Sequence, residues 1–243
     1  MTEQETETEI ETQAVTYAKA NRTRIARELT DLDKFPADQQ PVSIFMCGSP
    51  GAGKTEASKA FLEMFDETGI IRLAPDELRV FFQEYTGENS FLFQKAVSLI
   101  VERTLDRIFN NNQSFILDGT FSNFDIACKN IDRSLKRNRA VLIIFVYQEP
   151  TLAWEFVQAR EKLEGRRILP TTFIDQFLNS QEVIRQVKAK YDAAIKIDLL
   201  IKNNYGSTRI YHDNITDVEH HIKKKYSRTE LIRLLILPPE PIF

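Results

Sequence analysis

The chain has 243 residues, a formal net charge of −3 and a sequence pI of about 5.8, so no overall basic field draws it to nucleic acid or to anionic lipid. No apolar run is long enough to span a bilayer and no N-terminal signal peptide is visible. Two cysteines, Cys47 and Cys128, are too few for a disulfide framework; they suit small buried side chains in a reducing cytoplasm.

In chain order, residues 1–12 alternate Glu and Thr with no aromatic side chain, and are predicted to form a disordered acidic tail. Residues 13–40 read as an N-terminal helix, with an apolar stripe of Val15, Ala18, Ile25, Ala26 and Leu29, followed by a linker that reaches Pro41. Residues 41–204 read as the main domain. Its first strand, 42–47, runs straight into a glycine-rich loop and a helix over 56–65. A second short strand is predicted at 70–73, and Pro75 and Asp76 then open a turn and a helix start. A helix over 90–110 follows, then a third strand at 114–117 that leads into Asp118-Gly119-Thr120. After a further helix, 140–147 is continuously apolar, as befits a strand buried on both faces. A charged segment at 153–167, a helix near 173–191 and a last strand at 197–201 complete this domain. Residues 205–243 are expected to add a short strand and two helices, a C-terminal helical extension packing on the domain.

Strands alternating with helices predict a three-layer α/β fold with a mainly parallel central sheet flanked by helices. Ligands in such folds bind beyond the carboxyl ends of the strands, where the glycine-rich loop, Asp76, Asp118 and the segment after Tyr147 all fall. The loop itself, Gly48-Ser49-Pro50-Gly51-Ala52-Gly53-Lys54-Thr55, has the phosphate-loop form G-x-x-x-x-G-K-[ST]. Its glycines let successive N–H groups turn inward toward an anion. Lys54 is then expected to reach the β and γ phosphates of ATP, and Thr55 to place its hydroxyl on magnesium at a helix N-terminus. The plain alternative is a glycine-rich turn ahead of an ordinary helix.

The other polar residues at strand ends each admit two readings. Asp76 suits a general base for a hydroxyl acceptor, or a helix N-cap. Asp118 suits a Walker-B-like acid that orients magnesium through its water shell, or a turn cap. The run 154–167, with Arg160, Arg166 and Arg167 among glutamates, reads as a catalytic lid or as a salt-bridged surface helix. Phe81, Phe82, Tyr85, Phe91 and Phe93 could stack on a base or belong to the core. His212, His220 and His221 lack companion ligands, so magnesium is the one metal argued for. No Asn-Lys-x-Asp guanine-reading motif occurs.

With these residues in place the chain resembles the zeta toxin family of P-loop kinases over residues 14–204. The likeness has four parts in order: the phosphate loop and its preceding helix; Pro75-Asp76-Glu77-Leu78-Arg79; a helix carrying Glu102 ahead of Ile116-Leu117-Asp118-Gly119-Thr120; and Arg160 followed by Gly165-Arg166-Arg167-Ile168-Leu169-Pro170. The resemblance implies transfer of phosphate from ATP, with magnesium, to a sugar hydroxyl of UDP-N-acetylglucosamine or a related nucleotide sugar. In that picture Asp76 is the base, Lys54 and Thr55 hold phosphates and metal, Asp118 serves the metal, and Glu102, Thr120 and Arg79 meet the acceptor. Arg160 and Arg167 stabilise the transferring group, with Arg166 as the alternative to Arg167. The resemblance also implies an antitoxin partner or self-inhibition by the N-terminal segment. Where the toxins carry a His-Pro-type turn after the base segment, this chain reads Phe81-Phe82-Gln83-Glu84-Tyr85-Thr86-Gly87. A small-molecule kinase of the same fold acting on an antibiotic, nucleoside or metabolite, and a non-catalytic ATP-binding switch, are the alternative functions.

Overall fold

A computed structural model describes residues 3–64, 69–165, 167–202, 209–222 and 224–236. In chain order the elements are α1 (Glu3–Leu29), β1 (Val42–Cys47), α2 (Lys54–Glu63), β2 (Ile70–Leu73), α3 (Gln94–Asn110), β3 (Ser114–Asp118), α4 (Phe124–Leu135), β4 (Ala140–Gln148), α5 (Pro150–Glu164), α6 (Pro170–Tyr191), β5 (Lys196–Lys202), β6 (Arg209–His212) and α7 (Arg228–Leu235). The six strands lie in the order β2-β3-β1-β4-β5-β6. The first five are parallel, and β6 runs antiparallel to β5.

The apolar runs of β1 and β4 alternate their side chains between two cores. Phe45, Cys47, Ile143 and Phe145 point to one face, where Phe115, Ile197 and Leu199 join them beneath buried residues of α1, α3, α4 and α6. Ile44, Met46, Ile144 and Val146 point to the other, with Ile116 and with Ala57, Phe61 and Leu62 of α2. A third cluster sets Trp154 and Val157 of α5 against Phe173 and Phe177 of α6 and Leu231 of α7. The start of α5 is fixed twice over: Pro150 occupies its first turn, and the Glu149 carboxylate accepts from the N–H groups of Thr151 (3.0 Å) and Leu152 (3.4 Å). The Tyr226 hydroxyl also donates to Glu149, which ties the C-terminal segment to the helix start.

The amino ends of the central strands β1, β3 and β4 are held by a buried cation. Arg139 donates to the Ser43 hydroxyl (2.8 Å) and to the carbonyls of Val42 (2.9 Å) and Gln113 (2.6 Å), and its guanidinium lies over the rings of Phe109 and Phe115. Burial, with the Arg137 charge nearby, brings its pKa down to about 10. The Gln113 amide in turn donates to the carbonyls of Thr30 (3.1 Å) and Phe35 (2.6 Å), anchoring the chain that follows α1.

Three sequence expectations need correction. The acidic tail is not disordered over its described part: residues 3–12 are the first turns of α1, although most of their side chains remain exposed. Thr8, Thr12 and Thr16 each donate a hydroxyl to the carbonyl four residues back at 2.8 Å, and the buried Ala14, Ala18 and Ile25 dock the rest of the helix. Once a helix is nucleated by its docked part, each added residue costs little, so a segment with no core of its own still propagates it. The helix expected from residue 90 begins as a 3₁₀ turn, Ser90–Phe93, before α3, and the start at Pro75 is likewise a 3₁₀ turn, Pro75–Phe81. Of the strand and two helices expected at 205–243, β6 and α7 are present among the described residues and a second helix is not; residues 205–208, 223 and 237–243 lie outside them, as do Met1 and Thr2.

Ile25→Ala should therefore lower unfolding free energy by about 2–5 kcal/mol in urea titration. Removing residues 1–9 should change it by no more than about 0.5 kcal/mol, because the side chains of residues 4–9 are mainly solvated.

Candidate active site

The phosphate loop joins the carboxyl end of β1 to the amino end of α2, and its glycines are required by what lies behind them. Gly48, Gly51 and Gly53 all have positive φ, at 142°, 71° and 83°. A Cβ on Gly48 would collide with the carbonyl oxygen of Val146 in β4, and one on Gly51 with that of Ala153 in α5. On Gly53 it would displace the Lys202 ammonium. Main chain thus rests on main chain, and the loop can curl only where side chains are missing. The Gly48 N–H donates to the Thr120 carbonyl at 3.3 Å, which ties the loop to the segment after β3. Ser49 and Ala52 are buried in the curl.

Lys54 folds back over this curl and donates to the carbonyls of Gly48 (3.0 Å) and Ser49 (2.7 Å). Its ammonium thereby sits over the ring of main-chain groups in which phosphate oxygens would be received. Lys202, the last residue of β5, donates to the Gly53 carbonyl at 3.0 Å from the far side. Cys47, just before the loop, is buried, and burial pushes its thiol well above the usual range, so it remains a neutral packing group.

Beside the loop stand the two acids. Asp118 ends β3, next to β1, and its side chain is only 5% exposed. Its Oδ2 accepts from the Ser58 hydroxyl of α2 (3.1 Å) and from the Arg72 guanidinium of β2 (2.8 Å). Arg72 also donates to Ser58 (2.9 Å) and to both carboxylate oxygens of Glu77 (2.8 and 3.0 Å). Burial opposes its charge, but the bonds to Glu77 and Asp118 outweigh burial and raise its pKa. One side chain therefore ties β2, β3, α2 and the turn that carries Asp76. Asp76 is not the N-cap, a position that Ala74 holds, with Pro75 following. Its carboxylate accepts from Arg79, three residues on. Arg79 is 8% exposed at its side chain and is further bound to the Ser90 carbonyl and the Gln94 amide (both 3.3 Å), whereas Asp76 is 48% exposed. The arginine is the buried anchor and the carboxylate is the reachable group.

The remaining expected residues are more dispersed. Thr120 exchanges a hydrogen bond with Ser122 (3.0 Å) near the loop, through the carbonyl contact to Gly48. Glu102 on α3 is paired with Lys129 on α4, and this hydrogen bond is the foremost reason its carboxyl is held below the usual range. Arg160 pairs with Glu164 (3.2 Å) and Arg167 with Glu161 (3.8 Å), both at the surface. Arg166 lies outside the described residues. Phe82 and Phe93 are core residues, with Phe81 and Tyr85 packed against them, while Phe91 is exposed. A cavity of about 460 Å³ opens between α1 and this segment, lined by Thr12, Thr16, Tyr17, Phe82, Gln83 and Glu84. At the end of β4, buried Gln148 leaves its Nε2 without a hydrogen-bond partner among the described residues, a condition that costs about 1–3 kcal/mol.

Arg72, Lys202 and Gln148 were missed by motif reading. Arg72 had a signal, as the one charge in the otherwise apolar Ile70-Ile71-Arg72-Leu73, since a charge inside a buried strand must find a partner. Arg72→Met should leave the Asp118 carboxylate buried without its cation and lower stability by about 3–5 kcal/mol in urea titration. Combining it with Asp118→Asn should recover part of that loss, which a double-mutant cycle reads as a favourable coupling.

The sequence model of the zeta toxin family matches residues 25–216. Among curated proteins none matches the sequence. Among solved structures, one from the PezAT chromosomal toxin–antitoxin system of the human pathogen Streptococcus pneumoniae superposes with a TM-score of 0.65 at 17% identity, over 90% of this chain and 93% of that one. The AvrRxo1-ORF1:-ORF2 structure with ATP gives 0.57 at 14% identity, over 84% of this chain and 65% of that one. The same complex with sulphate ions gives 0.59 at 14%, over 88% and 70%. These likenesses show a shared fold, and among the described residues no helix is long and apolar enough to cross a membrane. With its family model covering most of the sequence, the chain belongs to the zeta toxin family and has the three-layer fold of P-loop kinases.

Proposed function

We propose that this chain is a kinase that transfers the γ-phosphate of ATP to a sugar hydroxyl of UDP-N-acetylglucosamine or a related nucleotide sugar. The observation that carries the reading is the pairing of the curled loop, with Lys54 on its carbonyls, and a half-exposed carboxylate, Asp76, anchored on buried Arg79. ATP as donor is favoured by the loop and by the nucleotide present in the AvrRxo1 complex of similar fold. Family membership favours a nucleotide-sugar acceptor and an antitoxin partner, as in the PezAT system.

In the reaction the acceptor oxygen attacks the γ phosphorus, the bond to the β–γ bridging oxygen breaks, and ADP leaves with the electron pair. Asp76 takes the proton lost by the hydroxyl, and Arg79 keeps its carboxylate aimed into the cleft. Lys54 trades its contacts with Gly48 and Ser49 for β and γ oxygens and follows the charge as it moves. Magnesium would be held by the Thr55 hydroxyl and, through water, by Asp118, with phosphate oxygens completing the shell. The donor set fits: both hydrogen bonds of Asp118 among the described residues fall on Oδ2, so Oδ1 would be the oxygen that accepts from a hydrated ion. When bound, the ion neutralises phosphate charge. Arg160 and Arg167 would exchange exposed glutamates for phosphoryl oxygens, and surface pairs of that kind are worth only about 0–1 kcal/mol to keep.

Thr120 and Glu102 are the proposed acceptor contacts. The Glu102–Lys129 pair favours a second reading, in which the same donor site serves another hydroxyl-bearing small molecule such as an antibiotic, a nucleoside or a metabolite. Incubation with ATP, magnesium and a panel of UDP-sugars, nucleosides and aminoglycosides, followed by mass spectrometry, should show one added phosphate on a UDP-sugar. A phosphate on a different compound selects the second reading, and none on any compound removes the kinase. Asp76→Asn should lower kcat by about 10²–10⁴ with ATP affinity within about twofold of wild type, and retained turnover would remove the base assignment.

A further inference from the structure

Sheet order dictates which way a nucleotide lies in the loop. Asp76 follows β2 and Asp118 ends β3, and both strands lie on one side of β1. On the other side lie β4 and β5, whose final residues, Gln148 and Lys202, are register partners. A terminal phosphate turned toward the two acids obliges the nucleoside to trail over the carboxyl ends of β4 and β5. Lys202 stands there already. Its ammonium occupies the space left by the missing Cβ of Gly53, with the end of its stem alongside, and donates to the Gly53 carbonyl at 3.0 Å, where α2 begins. Gln148 shares the face of Val146, whose side chain packs with Ala52 of the loop, and its buried amide nitrogen has no partner among the described residues. An ammonium thus adjoins the helix N-terminus on the side away from the acids, and an unpaired amide donor ends the neighbouring strand.

We propose that Lys202 is the second cation of the donor site and binds the α-phosphate and ribose of a nucleoside di- or triphosphate, while Lys54 serves the β and γ phosphates. The inference rests on the kinase reading for the direction of the nucleotide. It assigns the two ammonium groups to opposite ends of one ligand: Lys54 over Gly48 and Ser49, and Lys202 at Gly53. Lys202 would then act on binding of the donor and leave the chemical step to Asp76.

The test measures dissociation constants by calorimetry for ATP, ADP and inorganic pyrophosphate, which has no α-phosphate or ribose once it fills the β and γ positions, with wild type, Lys202→Met and Lys202→Arg. Lys202→Met keeps most of the side-chain length against Gly53, so thermal melting should match wild type. It should weaken ATP and ADP about tenfold and leave pyrophosphate within twofold, with Lys202→Arg restoring most of the nucleotide affinity. Equal weakening of all three ligands would mean that Lys202 only braces the loop, and would overturn the proposal, as would no weakening of any. Wild-type protein that binds pyrophosphate but no nucleotide would refute the kinase reading and this inference together, whereas failure of the Lys202 variants alone leaves that reading in place.

Discussion

The site depends on main chain packed against main chain. The curl of residues 48–55 is backed by the carbonyls of Val146 and Ala153, which approach Gly48 and Gly51 so closely that a single methyl group would not fit. Because the loop is seated on β4 and on the first turn of α5, the N–H groups that would receive phosphate are placed by the surrounding fold as well as by the loop's own contacts. That seating explains why the start of α5 is so heavily determined. Pro150, the Glu149 cap and the Tyr226 hydroxyl all hold the helix whose backbone supports Gly51.

A second constraint is electrostatic. Two arginines, partly buried Arg72 and buried Arg79, each hold one acid, and each is anchored elsewhere: Arg72 by Ser58 and Glu77, Arg79 by Ser90 and Gln94. The pairs set up an asymmetry that suits different tasks. Asp118 is enclosed, with its charge satisfied by two donors, whereas Asp76 is tethered by Arg79 and half-exposed. Breaking either tether would leave a buried charge on one side and an unpositioned carboxylate on the other, so the cost of these pairs in desolvation is tied to placing the acids.

Much of this was legible in the sequence. The phosphate loop has a pattern because backbone geometry forces glycine at fixed spacing, and β1 and β4 were plain because burial on both faces forces unbroken apolar runs. The direction of the sheet and the placing of Asp76 and Asp118 at strand ends followed from those. Long-range partners were not legible. The link from Arg72 to Asp118 spans 46 positions and that from Lys202 to Gly53 spans 149, and nothing local names either partner, although a lone charge in an apolar strand marks Arg72 as needing one. Residues 3–12 were misread because composition measures how much surface a segment can bury, while a helix already docked through Ala14, Ala18 and Ile25 extends without burying more. Glu102 is the instructive case on the acceptor side: the family pattern points to the acceptor, and its nearest cation in the fold, Lys129, is on α4.

The central claim is that the main-chain curl, completed by the Lys54 ammonium, grips the terminal phosphates of a nucleotide. Titration calorimetry of ATP with and without magnesium, on wild type and on Lys54→Ala, addresses it directly. The account expects magnesium-dependent uptake by the wild type and a loss of about 100-fold in affinity for the variant, whose fold should be unchanged. Absence of uptake by the wild type, or equal affinity in the two proteins, would contradict it.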